Sequence, residues 1–155
     1  MRENGAVSGR YYEDFSKGEK IRSAGRTVTE SDIMNFAGLS GDYNQLHTDK
    51  MFAQEGIYGE RIAHGLLILA MVSGLAARMG FSEGTALALT KVDWKFRAPV
   101  KIGDTIHAEF IVKRKKKVEK MGGGFVEFSV QVYNQNQKVV QKGTWAILAK
   151  NKPSG

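Results

Sequence analysis

The chain has 155 residues, which fits one domain able to bury a single substantial core, and no second domain is needed. Its 42% hydrophobic and 25% charged residues match soluble globular proteins and argue against both disorder and a membrane-embedded body. The absence of cysteine excludes disulfides, thiolate catalysis and cysteine-ligated zinc, while the net charge of +7 favours acidic partners such as nucleic acid, anionic lipid or a phosphorylated ligand.

Residues 1–10 are small and polar and are expected to be disordered. The opening MRENGAVSGRYYEDF lacks the apolar core of a secretory signal, so the protein is expected to stay in the cytoplasm. Residues 11–25 read as an irregular or short-strand lead-in, and residues 26–28 as strand-like. Thr29 then precedes Glu30, Ser31 and Asp32, a hydroxyl cap followed by acids that suit the start of a helix. Ile33, Phe36 and Ala37 carry the helical spacing, and the helix should end near Leu39 and Ser40.

That helix delivers the chain into SGDYNQLHTD, residues 40–49, where an acid, a carboxamide, an imidazole and a second acid fall close together. On a continuous helix Asp42 and His47 would point about 140° apart. If both act on one substrate, the segment must be a loop or a broken helix. Gly41 and Asn44 tolerate the backbone angles this requires. A short helix is expected over Lys50–Glu55, then a turn around Gly56 and Gly59.

The most apolar stretch is RIAHGLLILAMVSGLAARMGF, residues 61–81. From 65 to 79 apolar residues run almost all round, which predicts a helix buried on most sides. A transmembrane span is the rival reading. His64, Arg78, the marginal length and the globular surroundings count against it. Gly80 is a suitable stop.

Beyond it the period becomes alternating. Residues 87–96 read as a strand, Pro99 and Gly103 bracket a turn, and residues 105–113 form the next strand, with Ile106, Ala108, Phe110 and Val112 on one face. Lys113, Arg114, Lys115, Lys116, Lys117 and Lys120 crowd its end. This run is read first as a solvated strand end that discourages edge pairing, then as a phosphate site; no aromatic residues interleave it to suggest nucleic acid. Gly122, Gly123 and Gly124 are expected to turn the chain into a strand marked by Val126, Phe128, Val130 and Val132. Another turn precedes a last strand over 139–149, and residues 151–155 are expected to be disordered. One buried helix and a long antiparallel meander predict an α+β fold with the sheet curled around the helix.

SGDYNQLHTD, ERIAHGLL and VDWKFRAPVKIGDTI, in that order, resemble the MaoC-like branch of the hotdog superfamily, which holds the (R)-specific enoyl-CoA hydratases and related dehydratases. The resemblance covers roughly residues 11–150. It implies a hotdog fold over the whole of residues 1–155, with a curved antiparallel sheet wrapped around a long central helix and subunits pairing as a homodimer or dimer of dimers. It also implies a hydro-lyase that interconverts a trans-2-enoyl-CoA and a (3R)-3-hydroxyacyl-CoA, with no cofactor and no metal. The family's catalytic acid and histidine match Asp42 and His47, its helix-start glycine Gly65, its motif asparagine Asn44, and a supporting serine Ser73. Gln45 stands where the family usually has proline.

The chemistry of the residues agrees with that implication. Hydrating a conjugated thioester needs a base for water, an acid for the α-carbon and donors for charge on the carbonyl oxygen. A carboxylate and an imidazole can share the proton transfers. The N–H of Gly65, at a helix start, can face the oxygen, and glycine leaves room for the thioester. Asp42 is assigned as base and His47 as acid or water-orienting partner, with the order of their roles open.

Plainer readings stand beside these. Asp42 and Asn44 can be turn formers, and Ser73 a small packing residue. His47 with Asp49 makes a weak metal pair, His64 suits a packed and hydrogen-bonded supporting role, and His107 looks structural or exposed. A hotdog thioesterase and a non-catalytic acyl-CoA-binding module are the alternative functions; nucleic-acid and membrane partners are not expected.

Overall fold

The computed structural model describes residues 9–80 and 82–153. Helix α1 (Glu30–Ser40) begins at Thr29 with a reciprocal cap: Thr29 Oγ1 accepts from the Asp32 N–H at 3.1 Å, and the Asp32 carboxylate accepts from the Thr29 N–H at 2.9 Å. It ends at Gly41, whose φ of 78° lies in the left-handed region that glycine adopts without strain. A single turn, α2 (Gln45–Thr48), follows, then α3 (Lys50–Glu55), capped by the Asp49 carboxylate. The segment from 40 to 49 is therefore a broken helix.

The long helix α4 (Gly65–Arg78) buries Leu67, Ile68, Met71, Val72, Leu75 and Ala76. This corrects the expectation of burial on most sides, because Leu66, Ala70, Ser73 and Ala77 form an exposed stripe. An all-round apolar composition does not say which face the chain itself covers. Among the described residues no helix is long and apolar enough to cross a membrane.

Strands β1 (Lys20–Arg22), β2 (Arg26–Thr27), β3 (Ala86–Phe96), β4 (Thr105–Val118), β5 (Gly123–Tyr133) and β6 (Val139–Lys150) form an antiparallel sheet in the order β1-β4-β5-β6-β3, with β2 also on β4. Alternation places Ile106, Ala108, Phe110 and Val112 of β4 and Val126, Phe128, Val130 and Val132 of β5 in the core with α4. Each of the larger side chains among them, wholly buried, stabilises the fold by about 1.5–3 kcal/mol, and the Ala108 methyl group by less than about 1 kcal/mol.

Two expectations at this end of the sheet change. Strand β4 runs on past the expected end at 113 and pairs with β5 as far as Val118 opposite Gly123, so Lys113–Lys117 crowd its end, as expected, and Lys120 lies in the turn after it. Only Gly122 turns the chain, at φ 61°; Gly123 and Gly124 already belong to β5. A Cβ on Gly124 would lie 2.4 Å from the Tyr12 ring, so that position is small for packing.

The terminal stretches expected to be loose are tied down where they are described. The Gly9 N–H donates to Glu83 O at 2.7 Å, and Arg10 pairs with Glu19 at 2.7 Å. The Asn151 N–H donates to Gly122 O at 2.9 Å, and Lys152 pairs with Asp14 at 2.6 Å. Residues 1–8 and 154–155 lie outside the described residues.

Candidate active site

The turn chemistry of 40–49 and its catalytic potential coexist. Asp42 Oδ1 accepts from the Asn44 N–H at 3.2 Å, and Asn44 Oδ1 accepts from the Leu46 N–H at 3.0 Å, so both residues are the turn formers their type suggests. The Thr48 hydroxyl adds bonds to the carbonyls of Tyr43 and Asn44 at 3.1 and 3.2 Å. Asp42 nevertheless remains exposed and available. Gln45 is the first residue of α2, the position proline favours, and the surrounding side chains hold the turn without it.

His47, on α2, reaches across fifteen residues to the Ile62 carbonyl, with Nδ1 2.7 Å from the oxygen. A carbonyl only accepts, so Nδ1 carries a proton, and the tautomer with its single proton there has Nε2 as an open acceptor. His64, which precedes α4 and is buried, places Nε2 2.9 Å from the Asp42 carbonyl and by the same logic donates to it. The two imidazoles stack with centroids 3.8 Å apart and planes 29° from parallel. Asp42, His47 and His64 thus bring one polar atom each to within 4.8 Å of one another.

These three could be read as a ligand set, but His47 Nδ1 and His64 Nε2 already face backbone carbonyls, which leaves one ring nitrogen on each. A shared zinc would need both nitrogens aimed at one point about 2.0–2.1 Å away. The weak metal pairing of His47 with Asp49 has a plainer structural counterpart: Asp49 Oδ1 accepts from the N–H groups of Met51 and Phe52 at 2.9 and 3.0 Å and caps α3.

The first turn of α4 lies next to the histidines. His64 makes no side-chain cap, so the N–H groups of Gly65, Leu66 and Leu67 have no partner within the helix, where the dipole favours negative charge. A Cβ on Gly65 would sit 2.7 Å from the Phe96 ring, so a side chain there requires that ring to move. His47 and Gly65 open into a cavity of about 540 Å³ whose walls include Tyr58, Leu66, Phe96, Arg97 and Gln141. Tyr58 comes from the loop after α3, whereas the contributions of β3 and β6 were not expected.

Ser73 is not brought to this cluster. It lies eight residues along α4 on the exposed stripe, its hydroxyl donates to the Ala70 carbonyl at 2.7 Å, and it lines a separate apolar cavity with Leu87, Leu89 and Trp145. A helix places residue 73 more than two turns from residue 65, which explains the separation. His107 is buried, stacked on Tyr133 with centroids 5.3 Å apart, and is not part of the cluster.

The basic run does not line the cavity. Its strand end pairs with the start of β5, whereas the cavity uses the opposite end of the sheet, where Phe96 pairs with Gln141. Arg114 pairs with Glu127 at 2.8 Å, and Lys115 donates to the Phe15 carbonyl at 2.6 Å while lying over the Tyr12 ring.

The missed residue with the most polar connections is Gln141. Its signal was a carboxamide among apolar positions of a strand, but only the register of β6 shows what it meets.

An antiparallel sheet packed on one helix, with an acid and a histidine at the helix start, defines a class, and comparison with known proteins gives the same one. Residues 14–134 match the MaoC like domain, and the chain belongs to that family, a group with the hotdog fold. It is 40% identical over 106 residues to the MaoC protein of Klebsiella aerogenes, a match that covers 68% of this chain and only 31% of that longer protein. It is also 40% identical over 103 residues to an (R)-specific enoyl-CoA hydratase of Rhodospirillum rubrum, covering 66% of this chain and 69% of the relative. Among solved structures, a protein of Archaeoglobus described as a monoamine oxidase regulatory protein superimposes with a TM-score of 0.87 at 36% identity, covering 96% of this chain and 99% of that one.

Proposed function

We propose that this protein is an (R)-specific enoyl-CoA hydratase, or the corresponding 3-hydroxyacyl-CoA dehydratase working in reverse. The observation that carries the reading is the clustering of Asp42, His47 and His64, one polar atom of each within 4.8 Å of the others, with His47 held through Nδ1 to Ile62 and lining, together with Gly65 at the start of α4, one cavity.

In this arrangement a water can donate one hydrogen to Asp42 and the other to His47 Nε2, which leaves an oxygen lone pair for the β-carbon of the enoyl thioester. As the C–O bond forms, one of the two acceptors takes the proton from water and the pair returns a proton to the α-carbon. Negative charge gathered on the thioester oxygen faces the Gly65 N–H. Acid–base assistance of this kind contributes about 10²–10⁴-fold, and a preorganised donor at the oxygen a further ~10²–10³-fold. His47 therefore begins the hydration direction as an acceptor, and serves as an acid only after it has taken a proton.

The (3R) outcome rests on likeness to the Rhodospirillum rubrum hydratase. A homodimer is part of the proposal. Strand β3 is exposed along almost its whole length, with Leu87, Leu89 and Val92 at 45%, 54% and 42%, and it adjoins the exposed stripe of α4. A long apolar edge strand of this kind calls for a covering partner.

The test is the loss of enoyl absorbance when purified protein meets crotonyl-CoA, read in parallel with free thiol. Loss of absorbance without thiol supports the hydratase. Thiol release would favour a thioesterase, and acyl-CoA binding without turnover would favour a binding module.

A further inference from the structure

Gln141 is 2% exposed, on β6, in a layer otherwise made of apolar side chains. Its Nε2 donates to the Gly65 carbonyl at 2.9 Å, and its Oε1 accepts from Trp94 Nε1–H at 2.7 Å. The orientation of the amide is unambiguous: an indole nitrogen only donates and a carbonyl only accepts. Gly143 makes the second bond possible, because a Cβ there would lie 2.6 Å from Trp94 Cε3. Without that side chain the indole can lie across β6 toward Gln141. A leucine or methionine would fill the site with no polar group to satisfy, so the carboxamide needs a reason beyond packing.

The reason lies at its far end. Gly65 lies against Phe96, whose ring a Cβ would meet at 2.7 Å, and glycine constrains the backbone at the donor end of α4 less than any other residue would. We infer that Gln141 is a positioning residue: by holding the Gly65–Leu66 peptide group it fixes the Leu66 N–H directly and, through the Gly65 backbone, steadies the donor end of α4 toward the thioester oxygen. Trp94 in turn holds Gln141, so β3, β6 and α4 meet at one amide. A donor that is already aimed does not have to reorganise as charge develops, which is where preorganisation gains rate. The inference rests on the hydratase reading of the same cavity.

The test compares wild type, Gln141→Met and Trp94→Phe. Methionine keeps the length and volume of glutamine without a donor; Trp94→Phe keeps the bond to Gly65 and frees the opposite end of the amide. Two readouts are used: kcat and KM with crotonyl-CoA, and the absorbance of bound cinnamoyl-CoA, whose conjugated carbonyl shifts to the red when donors polarise it. Displacement of reacting groups by a remote change costs on the order of 100-fold, so Gln141→Met is expected to lower kcat by about 10- to 100-fold with KM changed less than about threefold. The red shift should shrink in the same variant, and Trp94→Phe should fall between it and wild type.

Gln141→Met with wild-type kcat and an undiminished red shift overturns the inference and leaves the hydratase reading intact. If that variant does not fold, Trp94→Phe decides alone, and a wild-type red shift there overturns the inference. A wild type that neither hydrates crotonyl-CoA nor shifts bound cinnamoyl-CoA overturns the reading of the site and the role of Gln141 with it.

Discussion

His47 and His64 lie ring on ring, 3.8 Å apart, and each binds a backbone carbonyl on the other's side of the site: His47 that of Ile62, His64 that of Asp42. The turn that carries Asp42 and the entry to α4 are therefore cross-linked by two imidazoles. An acid in a surface turn becomes a fixed group next to a cavity.

Asp42→Asn and His47→Gln are each expected to reduce hydration of crotonyl-CoA by about 10²–10⁴-fold. Asn retains the oxygen that accepts from Asn44, and Asp42 is exposed, so the melting temperature of Asp42→Asn should stay within a few degrees of wild type. Steady-state rates beside thermal melts check both statements; full activity in Asp42→Asn would remove that residue from the mechanism.

Gln45→Pro should be tolerated. Gln45 opens α2, and the preceding Asn44 has φ −51° and ψ 134°, an extended conformation compatible with a following proline. Proline at a compatible site stabilises by about 0.4–1 kcal/mol through the unfolded chain. Urea unfolding would measure this, and the rate on crotonyl-CoA should stay within about twofold of wild type if the turn geometry is already set by its side-chain bonds.

Gly65→Ala should separate stability from activity. Alanine favours a helix over glycine by about 1 kcal/mol, and Phe96, 55% exposed, can swing toward solvent to relieve the contact at 2.7 Å. Little change in melting temperature is expected. The displaced ring and the new methyl group narrow the cavity and shift the thioester, while the backbone N–H is kept, so kcat/KM should drop by about tenfold or more.

Stability should fall as the medium becomes mildly acidic. Burial holds His107 below the ordinary histidine value of 6.5, with the Arg22 and Lys20 charges adding to the effect and Glu109 opposing it. The unfolded chain then binds the proton first, so this contribution is complete above about pH 6.5 and is lost as the pH descends from there through the lower folded value. Denaturation midpoints between about pH 7 and pH 5 should decline in wild type and decline less in His107→Phe.

Leu89→Lys should favour the monomer. The substitution puts a charge on the exposed β3 edge, the device natural sheets use to block pairing. Light scattering should give a lower mass for the variant than for wild type; identical masses would move the interface away from β3.

Much of this molecule was legible locally. The Thr29 cap, the α1 stop at Gly41, the alternation of Ile106, Ala108, Phe110 and Val112, and the break between Asp42 and His47 are set by propensity and period over a few residues. Local pattern misled where it had to stand for packing. The apolarity of α4 suggested burial on most sides, and the glycine run 122–124 suggested a turn that only Gly122 makes.

The sequence by itself determined the order of helices and strands and the turn that carries Asp42 and His47, because those depend on neighbours a few positions apart. Only the tertiary structure decided that His64 holds Asp42 from 22 residues away, that Gln141 holds Gly65 from 76 residues away, and that Ser73 stands apart. Contacts at such separations follow from strand register and helix placement, which the whole core fixes together and no single segment encodes.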